Sequence, residues 1–245
     1  MPSIKRFLPF GLKRSVKEAV AGLVNIPVTK FDVPLALINA LPKNKPIAMI
    51  DVGASTGQFT HSIDQWCGVR KGLLIEPQPD RIESMKARFP ADRFSFAWAA
   101  VSSEESSIEM DILNWDYSSS ILPVRRDIPS VTQMIDLSVR ERIRVQASTL
   151  DNLCRAHRFE ESVDLLKIDV QGAESLVLAG ATETLRRTKL LWMELSLQPL
   201  YEGAETIESM IRLCRERNFI LRNLEDGFSG ADGELLQVDA LFSSL

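Results

Sequence analysis

Short apolar runs alternate with longer amphipathic runs, and this alternation restricts the fold of the chain more than any other feature. The strand-like runs are nearly continuous in apolar residues from about residue 46 onward. Such runs indicate a parallel sheet that is covered by helices on both faces. The predicted strands cover residues 47–50, 72–75, 94–101, 163–168, 189–195 and 219–224. The predicted helices cover residues 57–66, 79–89, 150–157, 172–178 and 205–217.

The C-terminal end of the chain breaks this alternation. Two turn signals, Asp226-Gly227 and Asp232-Gly233, lead into a last strand over 234–242 without an intervening helix. Strands joined by so short a turn pair antiparallel, because a parallel pair needs a long crossover. The predicted fold class is therefore α/β, a doubly wound Rossmann-like sheet, mostly parallel with one antiparallel strand near the C-terminus. A purely parallel dinucleotide-binding sheet would need another crossover.

Residues 102–144 fit the alternation poorly. A strand over 108–113 is followed by a polar, irregular segment over 114–136. A long irregular segment in a compact domain is usually a lid, a binding loop or a disordered stretch. We expect one domain over residues 46–245, preceded by an N-terminal helical extension over residues 1–45.

Charge and composition limit the partners of the chain. A net charge of −4 argues against a general nucleic-acid binder, which needs clustered Lys and Arg. The first twenty residues are basic and amphipathic, so they either contact an anionic membrane surface or form a terminal helix. Their apolar runs are too short for a secretory signal or a membrane span. Three cysteines without metal-like spacing predict free thiols in a reducing compartment, so we expect a cytoplasmic protein, peripheral at the membrane if the basic segment binds there.

Residues 51–59, Asp-Val-Gly-Ala-Ser-Thr-Gly-Gln-Phe, connect the first strand to the first helix, where open α/β sheets bind ligands. Gly53 permits a sharp turn and Gly57 a close backbone approach, while the helix N-terminus attracts an anion. In a methyl donor this anion is the methionine carboxylate, and Asp51 can receive its ammonium, directly or through water. Ser55 interrupts the Gly-x-Gly-x-x-Gly loop that a dinucleotide needs. A glycine turn without any ligand is the alternative.

An acid closes the second strand. Glu76, which Pro77 follows, lies 25 residues after Asp51, where a carboxylate can accept both hydroxyls of a ribose. NAD enzymes use an acid in the same way, so Glu76 indicates an adenosyl ligand without identifying it. Ala100 and Val101, at the end of the third strand, can form small apolar walls for adenine, although core packing explains them equally well.

Two further acids end the fourth and fifth strands. Lys167 and Asp169 lie two residues apart and so on one face of a strand, which makes an ion pair between them the structural alternative to a ligand contact. Glu194 ends the next strand near Asp169. Glu174, in the first turn of the following helix, is explained by complementarity to the helix dipole. His157 is interpreted as a surface histidine.

Six segments of the chain, in order over about residues 47–242, resemble the FkbM family of methyltransferases. They are Asp-Val-Gly-Ala…Gly at 51–57, Glu-Pro at 76–77, Ser-Thr-Leu-Asp at 148–151, Asp-Leu-Leu-Lys-Ile-Asp-Val-Gln-Gly-Ala-Glu at 164–174, Glu-Leu-Ser…Pro-Leu-Tyr-Glu-Gly at 194–203 and Asp-Ala-Leu-Phe at 239–242. The Lys-Ile-Asp-Val-Gln-Gly-Ala-Glu run is specific, whereas the glycine loop alone is not. The family more often has Asn in place of Ser55.

This resemblance implies a Rossmann-like methyltransferase fold, S-adenosylmethionine as the methyl donor, and O-methylation of hydroxyls on sugars or natural products. The residues expected to contact the donor are Asp51, Gly53, Ala54, Ser55, Gly57, Glu76, Pro77, Ala100, Val101 and Asp169. An alcohol needs a general base, for which Asp169 comes first and Glu194 second. Alternatively, these carboxylates hold a divalent cation, although no metal ligand is indicated by spacing.

The irregular segment is the candidate acceptor-binding loop. Trp115 and Tyr117 can stack on a sugar ring, while Arg125 and Arg126 can hold a phosphate or carboxylate. Tyr201 and Glu202 are expected to flank the same opening. The competing functions are an NAD-dependent oxidoreductase and a non-catalytic nucleotide-binding module. The oxidoreductase needs a three-glycine loop and a hydride-transfer pair, which this sequence lacks. The non-catalytic module would not need the strand-end acids that this sequence has.

Overall fold

The computed structural model of the chain describes residues 33–115 and 119–245. Its strands are β1 (Ile47–Val52), β2 (Val69–Glu76), β3 (Phe94–Trp98), β4 (Ala100–Val101), β5 (Ser106–Leu113), β6 (Val139–Ser148), β7 (Val163–Ile168), β8 (Thr188–Ser196), β9 (Phe219–Asp226) and β10 (Gln237–Ser244). Its helices are α1 (Leu35–Ala40), α2 (Gln58–Cys67), α3 (Pro79–Arg88), α4 (Pro129–Thr132), α5 (Leu150–Ala156), α6 (Glu174–Ala179), α7 (Thr182–Arg186) and α8 (Ile207–Glu216).

A seven-stranded sheet forms the centre of the fold, in the order β3-β2-β1-β7-β8-β10-β9. The first five strands in this order pair in parallel, and β10 pairs antiparallel with both β8 and β9. The predicted fold class, a mostly parallel sheet with one antiparallel strand near the C-terminus, is confirmed. The physical reason is the short connection between β9 and β10, which leaves no room for a crossover helix.

Alternate residues of the central strands enter two apolar clusters, one on each face of the sheet. On β1, Ala48, Ile50 and Val52 pack against α5, α6, α7 and α8, whereas Ile47 and Met49 pack against α1, α2 and α3. These five side chains are at most 1% exposed. Burial on both faces explains why the parallel strands read as continuous apolar runs.

Helix α1 belongs to one of these clusters. Its Leu37 is fully buried, and the backbone N–H of Ala36 donates to Glu225 Oε1 at the end of β9 (2.6 Å). The described part of the predicted N-terminal extension therefore packs on the sheet, and the boundary between residues 45 and 46 stays a prediction. The basic segment over residues 1–20 lies outside the described residues. Among the helices described, none is long and apolar enough to cross a membrane.

Strands β4, β5 and β6 form a second, three-stranded sheet in the order β4-β6-β5. Here β6 pairs antiparallel with β5 and parallel with β4. The prediction of one strand over 94–101 is wrong, because the chain changes sheets between β3 and β4. The strand predicted over 108–113 corresponds to β5, and the segment predicted as irregular over 114–136 lies between β5 and β6. Met110, Ile112 and Val145 form a small apolar cluster of their own with Ala100 and Ala147.

Candidate active site

A cavity of about 1000 Å³ opens at the carboxyl ends of the parallel strands. It extends from the loop after β1 and the end of β2 to the ends of β7 and β8 and to the start of β10. This is the crevice in which α/β sheets bind ligands. Of the predicted donor residues, those on its wall are Gly53, Ala54, Ser55, Glu76, Pro77, Ala100, Val101 and Asp169. Both predicted catalytic acids, Asp169 and Glu194, also line it.

The loop after β1 needs glycine at position 53. Gly53 has a φ of +74°, and a Cβ there would overlap the backbone carbonyl oxygen of Asp169. The Asp169 N–H donates to the Val52 carbonyl (3.1 Å), so the loops after β1 and β7 are held in direct contact. Ser55 also lies in the left-handed region, at a φ of 51°, where Asn is tolerated better than most residues. This backbone conformation is consistent with the more frequent Asn in the family.

Gly57 packs against a side chain rather than lining the cavity. Its φ is +76°, and a Cβ there would meet the Phe89 ring. Gly57 is not among the residues that line the cavity. This glycine allows the start of α2 to pack closely on the end of α3, and its predicted contact with the donor stays a prediction.

Glu76 is only 3% exposed, and its carboxylate closes β2. Its Oε2 accepts the Ser55 N–H (2.8 Å), and its Oε1 accepts the Gln78 N–H (3.2 Å). Burial raises the pKa of Glu76, while Arg81, the two backbone N–H groups and Lys167 oppose that rise. Each carboxylate oxygen has two lone pairs, so one on each oxygen remains for a ligand hydroxyl. The carboxylate therefore fits the two hydroxyls of a ribose.

Asp51 lies beneath the loop and does not line the cavity. It is fully buried; Thr60 Oγ1 donates to its Oδ2 (2.7 Å), and its Oδ1 lies 3.2 Å from Lys167 Nζ. Its predicted contact with the donor's ammonium, directly or through water, stays a prediction; the contact that the structure shows is the ion pair with Lys167. Asp51 holds Lys167 under the loop, where Nζ also donates to the Gly53 carbonyl (2.7 Å).

The predicted ion pair between Lys167 and Asp169 is present, with Nζ 3.5 Å from Oδ2. Burial acts to lower the pKa of Lys167, but the carboxylates of Asp51 and Asp169 raise it above its ordinary value. Asp169 remains on the cavity wall, and 38% of its side chain is exposed. Both alternatives for this residue thus apply together: it pairs with lysine and it faces the cavity.

An amide joins the two predicted catalytic acids. Gln171 Nε2 donates to Asp169 Oδ1 (2.8 Å) and to Glu194 Oε2 (3.1 Å), and Gln171 Oε1 accepts the Tyr201 hydroxyl (3.0 Å). Gln237, at the start of β10, donates a second bond to Glu194 Oε2 (2.8 Å). Gln171 has a φ of 58°, which bends the chain after β7 so that its side chain lies over both acids.

Carboxylates crowd this end of the cavity. Asp239 lies directly opposite Glu194 in the β8–β10 pairing. Burial, and then the charges of Asp169, Asp239 and Glu174, raise the pKa of Glu194 well above its ordinary value. Burial and neighbouring acids also raise the pKa of Asp239 to about 7. The site therefore holds carboxyl groups that exchange protons near neutral pH, as a general base requires.

Glu174 stands behind this cluster, outside the cavity lining. Its Oε1 accepts the backbone N–H groups of Val170 and Gly172 (3.1 Å each), which shapes the turn into α6. Burial is the main cause that raises the pKa of Glu174 to about 7. Its interpretation as a residue of the first helical turn is consistent with this position.

A paired strap covers the acceptor end of the cavity. Val124 and Tyr201 form an isolated antiparallel bridge, and the Glu202 N–H donates to the Pro123 carbonyl (2.8 Å). Trp115, Arg125 and Tyr201 line the cavity, but Arg126 and Glu202 do not. Arg125 pairs with Asp127 (2.7 Å). Tyr117 lies outside the described residues.

The remaining candidates do not contribute. His157 lies away from the cavity, and burial lowers its pKa. Within residues 33–115 and 119–245, no group of three or more His, Cys, Asp or Glu side chains has a metal-binding arrangement. The three cysteines are free and buried, as predicted.

Sequence reasoning missed three residues of the site: Gln171, Gln237 and Asp239. Gln171 and Asp239 stand inside the segments that carry the family resemblance, but no role was assigned to either. Gln237 and Asp239 lie two residues apart on one strand and so share a face. That face could have been found from the sequence, whereas the hydrogen bonds from two amides to one oxygen could not.

Comparisons with known proteins agree with this geometry. The profile of the methyltransferase FkbM domain matches residues 51–221. The 2-O-methyltransferase NoeI of Sinorhizobium fredii (strain NBRC 101917 / NGR234) is 28% identical over 218 residues, which cover 86% of this chain and 87% of that protein. The crystal structure of methyltransferase FkbM from Methylobacillus flagellatus KT superposes with a TM-score of 0.53 at 12% identity. That match covers 82% of this chain and 45% of the other, so the chain spans less than half of that protein's length.

Proposed function

Because the chain belongs to the FkbM family of S-adenosylmethionine-dependent methyltransferases, we propose that it transfers the methyl group to a hydroxyl of a sugar-type acceptor. One observation carries the proposal. A single cavity joins the glycine loop and Glu76 to the carboxylates of Asp169, Glu194 and Asp239. The first set suits an adenosyl ligand, and the second suits an acceptor with several hydroxyls.

Glu76 and the loop over residues 53–55 would hold the donor. Glu76 has lone pairs left for the ribose hydroxyls, and Ala100 and Val101 offer small apolar surfaces to the adenine. Arg81 donates to Ser55 Oγ (2.6 Å) and thereby fastens the loop to α3. When bound, S-adenosylmethionine supplies a methyl group on a positively charged sulfur, which leaves as a neutral thioether.

The acceptor end combines polar and aromatic surfaces. Asp169, Glu194 and Asp239 can accept hydrogen bonds from hydroxyl groups, and Phe59, Trp192 and Phe228 also line the cavity. Sugars present hydroxyls at the edges of the ring and C–H groups on its faces, so carboxylates with aromatic rings match their surface. The activity in the name of the Sinorhizobium relative, a 2-O-methyltransferase, supports oxygen as the methylated atom.

In this proposal the chain's residues align and deprotonate the acceptor. Because a sulfonium methyl is already activated, alignment supplies much of the rate. A carboxylate at the methylated hydroxyl accepts its proton, and Asp169 and Glu194 are the candidates. A divalent cation bound by acceptor hydroxyls and these carboxylates is the second way to lower the hydroxyl pKa. Addition of EDTA to the assay distinguishes the two, since only the cation route loses activity.

The first test is a calorimetric titration with S-adenosylhomocysteine, with NAD run beside it. We expect micromolar binding of S-adenosylhomocysteine alone, abolished in Glu76→Ala. Glu83→Ala is the matched control, because Glu83 lies exposed on α3 and pairs with Lys86. Binding of NAD instead would favour the oxidoreductase, and binding of neither would overturn the donor site.

The second test is a panel of mono- and oligosaccharides with radiolabelled S-adenosylmethionine. Methylation of a sugar hydroxyl supports the proposal. Methylation of amines or thiols only, with the donor bound normally, would refute the choice of oxygen.

A further inference from the structure

The two predicted catalytic acids differ in what their oxygens contact. Asp169 has both oxygens engaged: Oδ1 accepts from Gln171 (2.8 Å), and Oδ2 faces Lys167 Nζ at 3.5 Å. Glu194 has both of its hydrogen bonds on one oxygen, because Gln171 and Gln237 each donate to Oε2. Among the described residues, no donor reaches Glu194 Oε1, although Glu194 lines the cavity.

This arrangement leaves one defined oxygen for a ligand. Two amides from opposite sides, one after β7 and one on β10, prevent the carboxylate from turning, since any rotation would break a bond. The Tyr201 hydroxyl in turn donates to Gln171 Oε1 (3.0 Å) and holds the Gln171 side chain in place. We infer that Glu194 is the general base of the transfer, and that Gln171 and Gln237 are positioning residues that direct its Oε1 at the acceptor hydroxyl. This inference rests on the proposed function.

The charges around Glu194 strengthen its carboxylate as a base. The ionisable groups that face it are Asp169 from β7, Glu174 from α6, Asp239 from β10 and Tyr201 from the loop after β8, while Lys167 contacts Asp169. Burial and three of these acids raise the pKa of Glu194, and a base is most effective when its pKa lies near the operating pH. Asp169 differs in its contacts, because Lys167 Nζ already lies 3.5 Å from its Oδ2.

Asp239 is the remaining rival. It also faces the cavity, and none of the described residues donates a hydrogen bond to it. No hydrogen bond from the described residues therefore fixes the orientation of its carboxylate, and it lies on the strand beyond β8, farther from the donor loop after β1. A base that is not held loses the benefit of a fixed geometry. Asp239 is better suited to accept a second hydroxyl of the acceptor.

The step balances as follows. The acceptor oxygen forms a bond to the methyl carbon while the carbon–sulfur bond breaks, and the electron pair of that bond stays on sulfur. The hydroxyl proton passes to Glu194 Oε1. Glu194 leaves the step neutral, hydrogen-bonded to two neutral amides, and returns the proton to water after the product has left.

The experiment compares Glu194→Gln, Asp169→Asn and Asp239→Asn, each of which replaces a carboxylate by an amide of nearly equal shape. With the best sugar of the panel, we expect Glu194→Gln to lower kcat about 10²-fold to 10⁴-fold and to abolish the rise of kcat with pH. Asp169→Asn and Asp239→Asn should keep this rise and move it to lower pH, because each removes a like charge near Glu194. S-adenosylhomocysteine should bind Glu194→Gln and Asp239→Asn as it binds the unaltered protein.

A variant of the clamp tests positioning separately from folding. Gln237→Met removes one donor to the ionised Glu194, so the rise of kcat should move to higher pH. A loss of kcat without any shift of the profile would indicate a merely structural role and would overturn the positioning assignment.

Infrared difference spectra of the S-adenosylhomocysteine complex give a readout that needs no turnover. The carbonyl band of a protonated carboxylic acid should weaken as the pH rises and should lose a component in Glu194→Gln. A band that loses this component only in Asp169→Asn, or a sugar that Glu194→Gln methylates at the normal rate, would overturn this inference alone. Donor binding without methylation of any hydroxyl would overturn the proposed function and this inference with it.

Discussion

The buried acids at the donor and acceptor ends of the cavity have opposite electrostatic surroundings. At the donor end, the rise that burial causes in the pKa of Glu76 is opposed by Arg81, two backbone N–H groups and Lys167. At the acceptor end, Lys167 alone opposes the rise that burial causes in the pKa of Asp239. The charges of Asp169 and Glu225 raise that pKa further. At the donor end, hydrogen bonds and charges therefore already hold the carboxylate of Glu76 in place. At the acceptor end, the ionised form of the carboxylates is unfavourable. A hydrogen bond from a hydroxyl or the binding of a proton lowers their free energy.

The largest effect should come from breaking the ion pair under the donor loop. Lys167→Met leaves Asp51 buried, with Thr60 as its remaining hydrogen-bond donor among the described residues, so we expect unfolding to become easier by about 3–5 kcal/mol. Denaturant unfolding followed by circular dichroism measures this loss. The double variant Lys167→Met/Asp51→Asn should recover a large part of it. If the double variant is no more stable than the single one, the Asp51 charge is not the cause.

The next effect separates backbone strain from steric overlap. Gly53→Ala combines a φ of +74° with overlap of the Asp169 carbonyl oxygen, so we expect a loss of about 2–4 kcal/mol and weaker S-adenosylhomocysteine binding. Gly203→Ala is the matched control. Gly203 has a φ of +78° with no atom within 4 Å of an added Cβ, so it should cost only about 1 kcal/mol. Equal losses in the two variants would mean that overlap contributes nothing.

The acceptor end should also be visible in the pH dependence of stability. The pKa of Asp239 is raised from 3.8 to about 7 in the folded state, so the folded protein binds more protons than the unfolded chain between these values. Stability from this group is thus complete below about pH 4 and falls as the pH rises to 7, by at most about 1.4 kcal/mol per pH unit. Asp239→Asn should make the measured fall between pH 5 and 7 shallower. An unchanged slope in urea unfolding would contradict the raised pKa.

The smallest effect concerns the brace of the donor loop. Arg81→Gln removes the bond to Ser55 Oγ and the cation that favours ionised Glu76, so S-adenosylhomocysteine should bind more weakly by about 1 kcal/mol. Calorimetry at pH 6 and pH 8 should show the larger loss at pH 6, where Glu76 is more readily protonated. Arg155→Gln, on α5, is the control and should bind normally. If Arg81→Gln binds S-adenosylhomocysteine with unaltered affinity at both pH values, the backbone N–H groups alone hold Glu76 for the ligand.

Local patterns predicted the main sheet well and the second sheet poorly. The strand over 163–168 agrees with β7, because a strand buried on both faces leaves a continuous apolar run. The region of β6 gives no strand signal in the sequence, because its residues 139–142 and 144 are exposed, with Arg142 paired to Asp111 on β5. A charged strand stabilised by its partner carries little signal of its own, since the pairing is not local.

The candidate site likewise has a part that the sequence predicts and a part that it does not. Chain order placed Glu76, Asp169 and Glu194 at one edge of the sheet, because parallel strands all end on the same side. The burial of Asp51 under the loop could not be foreseen, since it depends on Lys167, which is 116 residues away along the chain. The roles of Gln171 and Gln237 likewise depend on hydrogen bonds between distant segments.

The sequence by itself determined the parallel pairing of the main sheet, its antiparallel strand near the C-terminus, the need for a tight turn after β1, and the end of the sheet at which the acids gather. These follow from side-chain periodicity and connection length, which are local properties of the chain. The tertiary structure alone decided which acid is neutralised by lysine, which is held by two amides, and which oxygen faces the cavity. Such choices depend on distances of a few ångströms between remote segments, because hydrogen bonds and ion pairs act only at that range.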